Sequence, residues 1–246
     1  MTGVSAVFLR EMAMLVRRIG GLGYLFSGLL FPMIYLLAFG WGLGSAVEVA
    51  GGYIAYLAKG MLAITVMMNG FQQTAISVSA ARFYFRTFSV LRMSPVRDTD
   101  IVLGIALAGA VRALFAGLAI FLAAWIFFDI RLLAMPGLIG LLLTALCFAA
   151  LGVAVGLSIR GQEQFSVIIN FFITPMTFFC GSFFPIANLP ALVREIVSFL
   201  PLAQTNMLLQ ATGWDADTWG ALALLAGITV LCFFWAVWRM RRYQEF

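Results

Sequence analysis

The sequence predicts an all-α, polytopic membrane protein, and both its composition and the spacing of its apolar runs support that class. Hydrophobic residues make up 63% of the chain and charged residues 10%, whereas soluble domains average about 45–50% and about 25%. Apolar runs recur along the whole chain and are separated by short charged segments. A soluble fold of this length has no use for so much apolar surface.

Six of the apolar runs are long enough to cross a bilayer as helices, which takes about 20 residues. We therefore predict spans at 22–42, 57–78, 101–128, 133–158, 164–185 and 217–238. The third and fourth spans are longer than a bilayer requires, so we expect them to tilt or to extend beyond it.

The distribution of arginines predicts that both termini lie in the cytoplasm, because multi-pass proteins keep their basic residues on that side. With the N-terminus inside, eleven of the fifteen basic residues fall in cytoplasmic segments, namely Arg10, Arg17, Arg18, Arg82, Arg86, Arg92, Arg97, Arg160, Arg239, Arg241 and Arg242.

Residues 1–20 are predicted to form an amphipathic helix in the cytoplasmic membrane interface. Charges interrupt any apolar stretch that a signal peptide would need. At 100° per residue, Arg10, Glu11, Arg17 and Arg18 fall within one arc of about 120°, which leaves the apolar side chains largely on the remainder. The alternative is a solvated tail.

The segment between the second and third spans, residues 79–104, is the longest cytoplasmic connection. Arg82 and Arg86 are one helical turn apart and lie among aromatic residues. Pro95 ends any helix in this segment. The composition alone favours an ordinary basic loop with interfacial aromatics, and the alternative is a short docking helix parallel to the membrane.

The outer part of the fifth span is apolar but contains helix-breaking residues. Asn170–Pro190 reads NFFITPMTFFCGSFFPIANLP, and proline removes a backbone donor. Irregular backbone persists at membrane depth only when it is buried in protein or lines a cavity. We expect Pro175 to kink the span and Gly181 to permit either a backbone break or a close approach. Beyond Gly181 we expect either a helix that returns into the outer leaflet or a loop on the membrane surface.

Polar residues inside the predicted spans are rare. A buried charge is costly and is usually paired or faces a cavity, and buried amides either line a path or join helices by hydrogen bonds. The candidates are Arg112, Asn69, Gln72, Gln73, Gln164 and Asn170.

The residue inventory argues against several functions. The chain has no histidine, and its three cysteines fall in apolar runs, so we predict no metal site, disulfide framework or intramembrane enzyme. Its only lysine, Lys59, is followed by Gly60 and Met61, which does not fit a P-loop, so we expect no ATPase activity. An ion-coupled secondary transporter of a small hydrophobic solute is the alternative function, although no carboxylate lies near the middle of a span.

Two segments resemble the membrane subunits of type-2 ABC exporters, and the likeness extends over nearly the whole chain. The first is RTFSVLRMSPVRDTDIVLG, at Arg86–Gly104, and the second is ITPMTFFCGSFFPIANLPALVREIVSFLPLAQ, at Ile173–Gln204. The sequence is most similar to nodulation-type lipo-oligosaccharide exporter permeases and to related drug and polysaccharide exporters. The residues that match the hallmark of the second segment are Pro175, Gly181, Phe184, Pro185, Leu189, Pro190 and Pro201.

The resemblance implies one transmembrane domain over 1–246, a coupling helix at 80–94 and an outer re-entrant region at 186–201. The residues implied for coupling are Arg82, Arg86, Phe88, Leu91 and Arg92. The second and fifth spans would line the translocation path, with the six polar candidates as its side chains. The residues implied for an outer gate are Pro175, Gly181, Phe184, Pro185 and Pro190.

The resemblance also implies partners and a location. Two copies of a separate ABC ATP-binding subunit would bind ATP and Mg²⁺, and no cofactor is expected on this chain. A second membrane subunit, either a second copy or a paralogue, would complete the membrane portion in the bacterial inner membrane. The expected substrate is amphipathic or lipid-linked, such as a lipo-oligosaccharide, a polysaccharide or a drug-like molecule. We also expect contact with membrane lipid and no binding of nucleic acid.

Overall fold

The computed structural model describes residues 3–19, 30, 32–39, 52–83, 88, 91, 93–128, 134–159 and 161–243. Every regular element in these ranges is helical, which confirms the predicted all-α class.

The helices are labelled here in chain order. They are α1 Gly3–Ile19, α2 Tyr53–Phe83, α3 Asp98–Phe128, α4 Met135–Ser158, α5 Gln162–Phe179, α6 Ala191–Ser198, α7 Pro201–Gln210 and α8 Ala216–Arg241. Two of them are not α-helical throughout, because α2 contains a π-helical turn at Asn69–Gln73 and α5 contains one at Ile169–Ile173.

Within the described ranges, α2, α3, α4 and α8 are long and apolar enough to cross a membrane. They match the second, third, fourth and sixth predicted spans to within a few residues. The first predicted span, 22–42, lies mostly outside the described residues, and its described part is helical at 32–39.

The fifth predicted span, 164–185, is wrong at its C-terminal end. Helix α5 stops at Phe179, and Gly181 then takes a positive φ of 80°. An L-residue with a side chain rarely adopts that backbone conformation, whereas glycine adopts it without strain. The chain therefore turns out of the helix at this glycine.

Helix α4 is the centre of the helical bundle, because it packs against α2, α3, α7 and α8. In α4, 67% of the most apolar window is buried inside the protein, whereas in α8 only 22% is buried. Helix α8 therefore lies at the periphery with much of its apolar surface outward. It begins with a capping box, in which Asp215 and Thr218 bond each other's backbone N–H groups.

Helix α1 packs along α3, and this packing corrects one part of the predicted amphipathic pattern. Glu11 was expected in the polar arc, but it is 3% exposed and lies on the same buried row as Val7. A carboxylate is stable there because α3 supplies a cation opposite it. Whether α1 lies in a membrane interface stays a prediction.

Candidate functional site

Non-helical residues 180–184 pack against the first part of α2. A side chain at Gly60 of α2 would leave no room for this contact, because a Cβ there would lie 2.1 Å from the carbonyl oxygen of Ser182. Small residues allow this kind of close backbone approach between membrane segments. The irregular segment is therefore buried in protein, as its apolar sequence requires.

Side chains from two distant helices supply the hydrogen bonds that this segment lacks. The Tyr56 hydroxyl of α2 donates to the carbonyl oxygen of Gly181 at 2.5 Å. The Asn206 amide of α7 donates to the carbonyl oxygen of Cys180 at 2.8 Å and to the Ser182 hydroxyl at 2.9 Å. All three bonds are buried, so they replace the partners that water would otherwise provide.

The sequence reasoning missed both Tyr56 and Asn206. A usable signal existed for Asn206, because Gln204, Thr205 and Asn206 form a polar run that the structure buries. Tyr56 gave no such signal, since a tyrosine near the end of a span is ordinary.

The predicted gate residues surround the same outer region. Gly181 is buried, Phe184 and Pro185 are half-buried, and Pro175 and Pro190 are exposed. Pro185 precedes a short 3₁₀ turn at Ile186–Asn188 and Pro190 directly precedes α6. Their role as a gate, and the return of this region into the membrane, stay predictions.

A mostly apolar cavity of about 410 Å³ opens beside this region. It lies between the start of α2, the turn after Gly181, α6 and α7. Its polar lining residues include Tyr56, Arg194, Ser198, Gln204, Asn206 and Gln210.

The amides predicted for the translocation path coincide with the two π-helical turns. Asn69, Gln72 and Gln73 are half-buried in the π turn of α2, and Asn170 is exposed in the π turn of α5. Single π turns inside α-helices occur frequently at functional sites. Gln164 is exposed on α5, so five of the six predicted path residues lie on these two helices.

Ring stacking joins α2 and α5 at the same level. The rings of Phe71 and Phe165 are parallel to within 11°, with centroids 5.9 Å apart. In α5 the π turn also precedes Pro175, which has no N–H and would clash with a regular helical carbonyl four residues earlier. The Thr174 N–H bonds back to the carbonyl oxygen of Ile169, five residues earlier, so the wider turn accommodates the proline.

The sixth path candidate, Arg112 of α3, forms a buried ion pair. A terminal nitrogen of its guanidinium lies 3.4 Å from Oε2 of Glu11, and the two side chains are 8% and 4% exposed. Ser77 of α2 donates to the same carboxylate oxygen at 2.9 Å. The Glu11 carboxylate of α1 therefore contacts both α2 and α3. The structure gives Arg112 a partner, and its contact with a substrate stays a prediction.

The predicted coupling residues that the structure describes pack inward at the end of the bundle where α2, α4 and α8 end. Phe88 is 2% exposed and belongs to an apolar cluster formed with residues of α2, α4 and α8. Leu91 is half-buried against that cluster. Arg82 donates to the carbonyl oxygens of Gly156 and Ile159, at 2.6 and 3.0 Å. Contact with an ATP-binding subunit stays a prediction for all of them. Arg86 and Arg92 lie outside the described residues.

No group of three or more His, Cys, Asp or Glu side chains is placed to hold a metal ion within the described ranges. The sulfurs of Cys147 and Cys232 lie 4.0 Å apart without a disulfide bond. Both residues belong to the packing of α4 against α8.

Comparison with known proteins identifies the family. The sequence profile described as "ABC-2 type transporter" matches residues 2–214. Nodulation protein J of Rhizobium leguminosarum bv. viciae is 33% identical over 184 residues, which cover 74% of this chain and 71% of that protein.

Two further relatives agree. Nodulation protein J of Sinorhizobium fredii is 32% identical over 209 residues, which cover 82% of this chain and 78% of that protein. The inner membrane transport permease YadH of Escherichia coli is 27% identical over 173 residues, which cover 69% and 67%. Because the family model covers most of the chain, the chain belongs to the ABC-2 type transporter family.

Proposed function

We propose that this chain is the membrane subunit of an ATP-driven exporter that moves an amphipathic or lipid-linked substrate. The observation that carries the proposal is the family match over residues 2–214. Relatives whose name is nodulation protein J make a lipo-oligosaccharide the first substrate to test. The amides at the π turns of α2 and α5 would contact its polar headgroup, and the exposed aromatic residues Phe171 and Phe172 of α5 its apolar part.

The energy for transport would come from a separate ABC ATP-binding subunit, because this chain has no P-loop lysine. The complete exporter would contain two copies of that subunit and two membrane subunits, with this chain as one or both of them. The ion-coupled alternative has no support from the described carboxylates. Glu11, a buried carboxylate among them, is bound by Arg112 and Ser77.

Both termini would face the cytoplasm of a bacterial inner membrane. A cysteine replacing Glu48 or Gly213 is expected to react with an impermeant thiol reagent in intact cells, and one replacing Val90 is not. Gly213 suits the test because a Cβ there meets no atom within 4 Å. The unmodified chain, whose cysteines are buried or half-buried, provides the background. Labelling of the Val90→Cys variant from outside would contradict the proposed orientation.

The dependence on a partner predicts that the purified chain alone hydrolyses no ATP, and that hydrolysis and transport appear when an ATP-binding subunit encoded nearby is co-expressed. Arg86→Glu is expected to reduce co-purification of that subunit by about tenfold or more, because reversing a charge at a partly desolvated interface costs more than the 1.4 kcal/mol that a tenfold change requires. The readouts are retained ATPase and transport of a labelled lipo-oligosaccharide into inside-out vesicles.

Arg241→Glu is the matched control for this prediction, because Arg241 is an exposed arginine at the end of α8. Insertion should survive in both variants, since ten other arginines remain in the predicted cytoplasmic segments. Equal retention of the ATP-binding subunit in both variants would contradict a coupling role for the segment that contains Arg86. Robust ATP hydrolysis by the chain alone would contradict the proposal as a whole.

A further inference from the structure

The structure points to a role for Tyr243, which lies just beyond α8. We propose that Tyr243 is a positioning residue that clamps the predicted coupling segment to the ends of α2 and α4. The inference rests on the proposed function for its consequence in transport. Its geometry stands on contacts among three side chains, Arg82, Phe88 and Tyr243, which we call the Tyr243 clamp.

The first part of the clamp joins α2 to α4. The last carbonyls of any helix lack partners inside the helix. Arg82, in the last turn of α2, donates through one guanidinium nitrogen to the carbonyl oxygen of Gly156 in the last turn of α4 and to that of Ile159 just after it. A cation is also favourable at the negative end of a helix dipole. Arg82 therefore fixes the end of α2 against the end of α4.

The second part of the clamp is the contact between Arg82 and Tyr243, which follows α8. The central carbon of the Arg82 guanidinium lies 4.7 Å from the centroid of the Tyr243 ring and 4.7 Å from that of Phe83. A guanidinium at this distance is attracted to the electron-rich face of an aromatic ring. Tyr243 is half-buried against the apolar cluster that contains Phe88.

The third part holds the coupling segment. The ring of Phe88 meets the ring of Tyr243 edge to face, with centroids 5.2 Å apart and planes at 76°. Such edge-to-face pairs are favourable because the positive ring edge meets the negative face. Phe88 is 2% exposed and packs with residues of α2, α4 and α8. Tyr243 thus contacts both the residue that joins the helix ends and the aromatic anchor of the predicted coupling segment.

The clamp has a mechanical consequence for a coupled transporter. When an ATP-binding subunit displaces the coupling segment, the spans move with it only if the segment is held firmly against them. Phe88 and Arg82 are brought together through Tyr243, so a displacement of the coupling segment is transmitted to the ends of α2 and α4 together. Without the Tyr243 ring, the coupling segment loses the contact between Phe88 and Tyr243. It can then move without moving the ends of α2 and α4.

The test compares Tyr243→Ala with Tyr243→Phe, which keeps the ring, and with Arg242→Ala. Arg242 is the exposed neighbour and stacks on Trp238 instead, 4.4 Å from that ring's centroid. In Tyr243→Ala, amide hydrogen exchange in peptides that cover residues 84–97 is expected to accelerate by about tenfold, which corresponds to about 1.4 kcal/mol. The Phe variant and the Arg242 variant are expected to exchange as the wild type does.

The second measurement is the number of substrate molecules transported per ATP hydrolysed by the complex with the ATP-binding subunit. We expect this ratio to fall in Tyr243→Ala and to be restored in Tyr243→Phe, while the melting temperature changes little. A purely structural role would lower the melting temperature without changing the ratio, and that result would overturn the inference.

The two measurements separate the failure of the clamp from the failure of the proposed function. If the wild-type chain retains no ATP-binding subunit, the proposed function fails, and hydrogen exchange still decides whether the clamp holds the segment. If the wild-type complex transports normally but exchange and coupling ratio in Tyr243→Ala equal those in Arg242→Ala, the clamp is overturned and the proposed function stands.

Discussion

Replacing Glu11 by leucine is expected to destabilise the protein by about 3–5 kcal/mol, because it leaves the Arg112 guanidinium buried without its carboxylate. The Arg112 side chain is only 8% exposed, so water does not take the place of the lost partner. The melting temperature of a chain of this length should fall by roughly 10 °C. The measurement is the fraction of purified protein that stays in the monodisperse size-exclusion peak after heating.

A double-mutant cycle identifies the ion pair as the cause. Arg112→Leu alone should destabilise the chain comparably, and Glu11→Leu with Arg112→Leu should recover most of the loss, because apolar side chains often replace a whole buried pair without cost. Arg10→Gln is the control at a more exposed, half-buried partner of the same carboxylate, 3.8 Å away and 31% exposed, and should cost about 0–1 kcal/mol. Additive losses in the double variant would mean that the two charges do not stabilise each other.

Replacing Gly60 by alanine is the second change with a large expected effect. The new Cβ would meet the backbone of Ser182 at 2.1 Å from its carbonyl oxygen, and backbone atoms cannot move aside as a flexible side chain does. Overpacking of this kind costs about 1–3 kcal/mol or more. Residues 180–184 would have to move away from α2, which would also stretch the hydrogen bond from Tyr56 to Gly181.

Gly227→Ala in α8 is the matched control, because a Cβ there meets no heavy atom within 4 Å. Alanine is a better helix former than glycine by about 1 kcal/mol, so this variant should be as stable as the wild type or more stable. Thermal melting of both variants, side by side, checks the prediction. A Gly60→Ala chain that melts with the wild type would show that the segment after α5 does not rest on α2.

The positions of α2, α3, α4 and α8 were predictable because bilayer crossing depends on length and apolarity, which are local properties of the sequence. The end of α4 at Ser158 was predicted to the residue, since charged and polar residues begin two positions later, at Arg160. The limit of the fifth span was set too far along, at 185, because apolar residues continue past Phe179, although the sequence did mark Gly181 as a place where the backbone can break. What ends that helix is the geometry at Gly181 together with hydrogen-bond donors from α2 and α7, and hydropathy contains neither.

The polar candidates were found by type and location, but their partners were not. Charge spacing on α1 placed Glu11 on an outer arc, because the residue that buries it, Arg112, is 101 positions away. The π turns that carry Asn69 and Asn170 were also not foreseen, since one extra residue in a turn leaves no mark on a pattern of apolar residues. Arg82 was selected as a basic residue near aromatics, whereas the carbonyls it binds lie at the end of α4 and just after it, more than seventy residues later.

The donor from α7 to the irregular outer segment has a consequence for biosynthesis. Asn206 follows the Cys180 carbonyl that it bonds by 26 residues, so the ribosome makes the acceptor before the donor. At about 5–20 residues per second, the carbonyl waits about 1–5 s for its partner. During that interval the new segment cannot rest in lipid as an open loop. It has to stay in a hydrated place, at the membrane surface or inside the insertion machinery, until α7 has been made and Asn206 can donate its hydrogen bond.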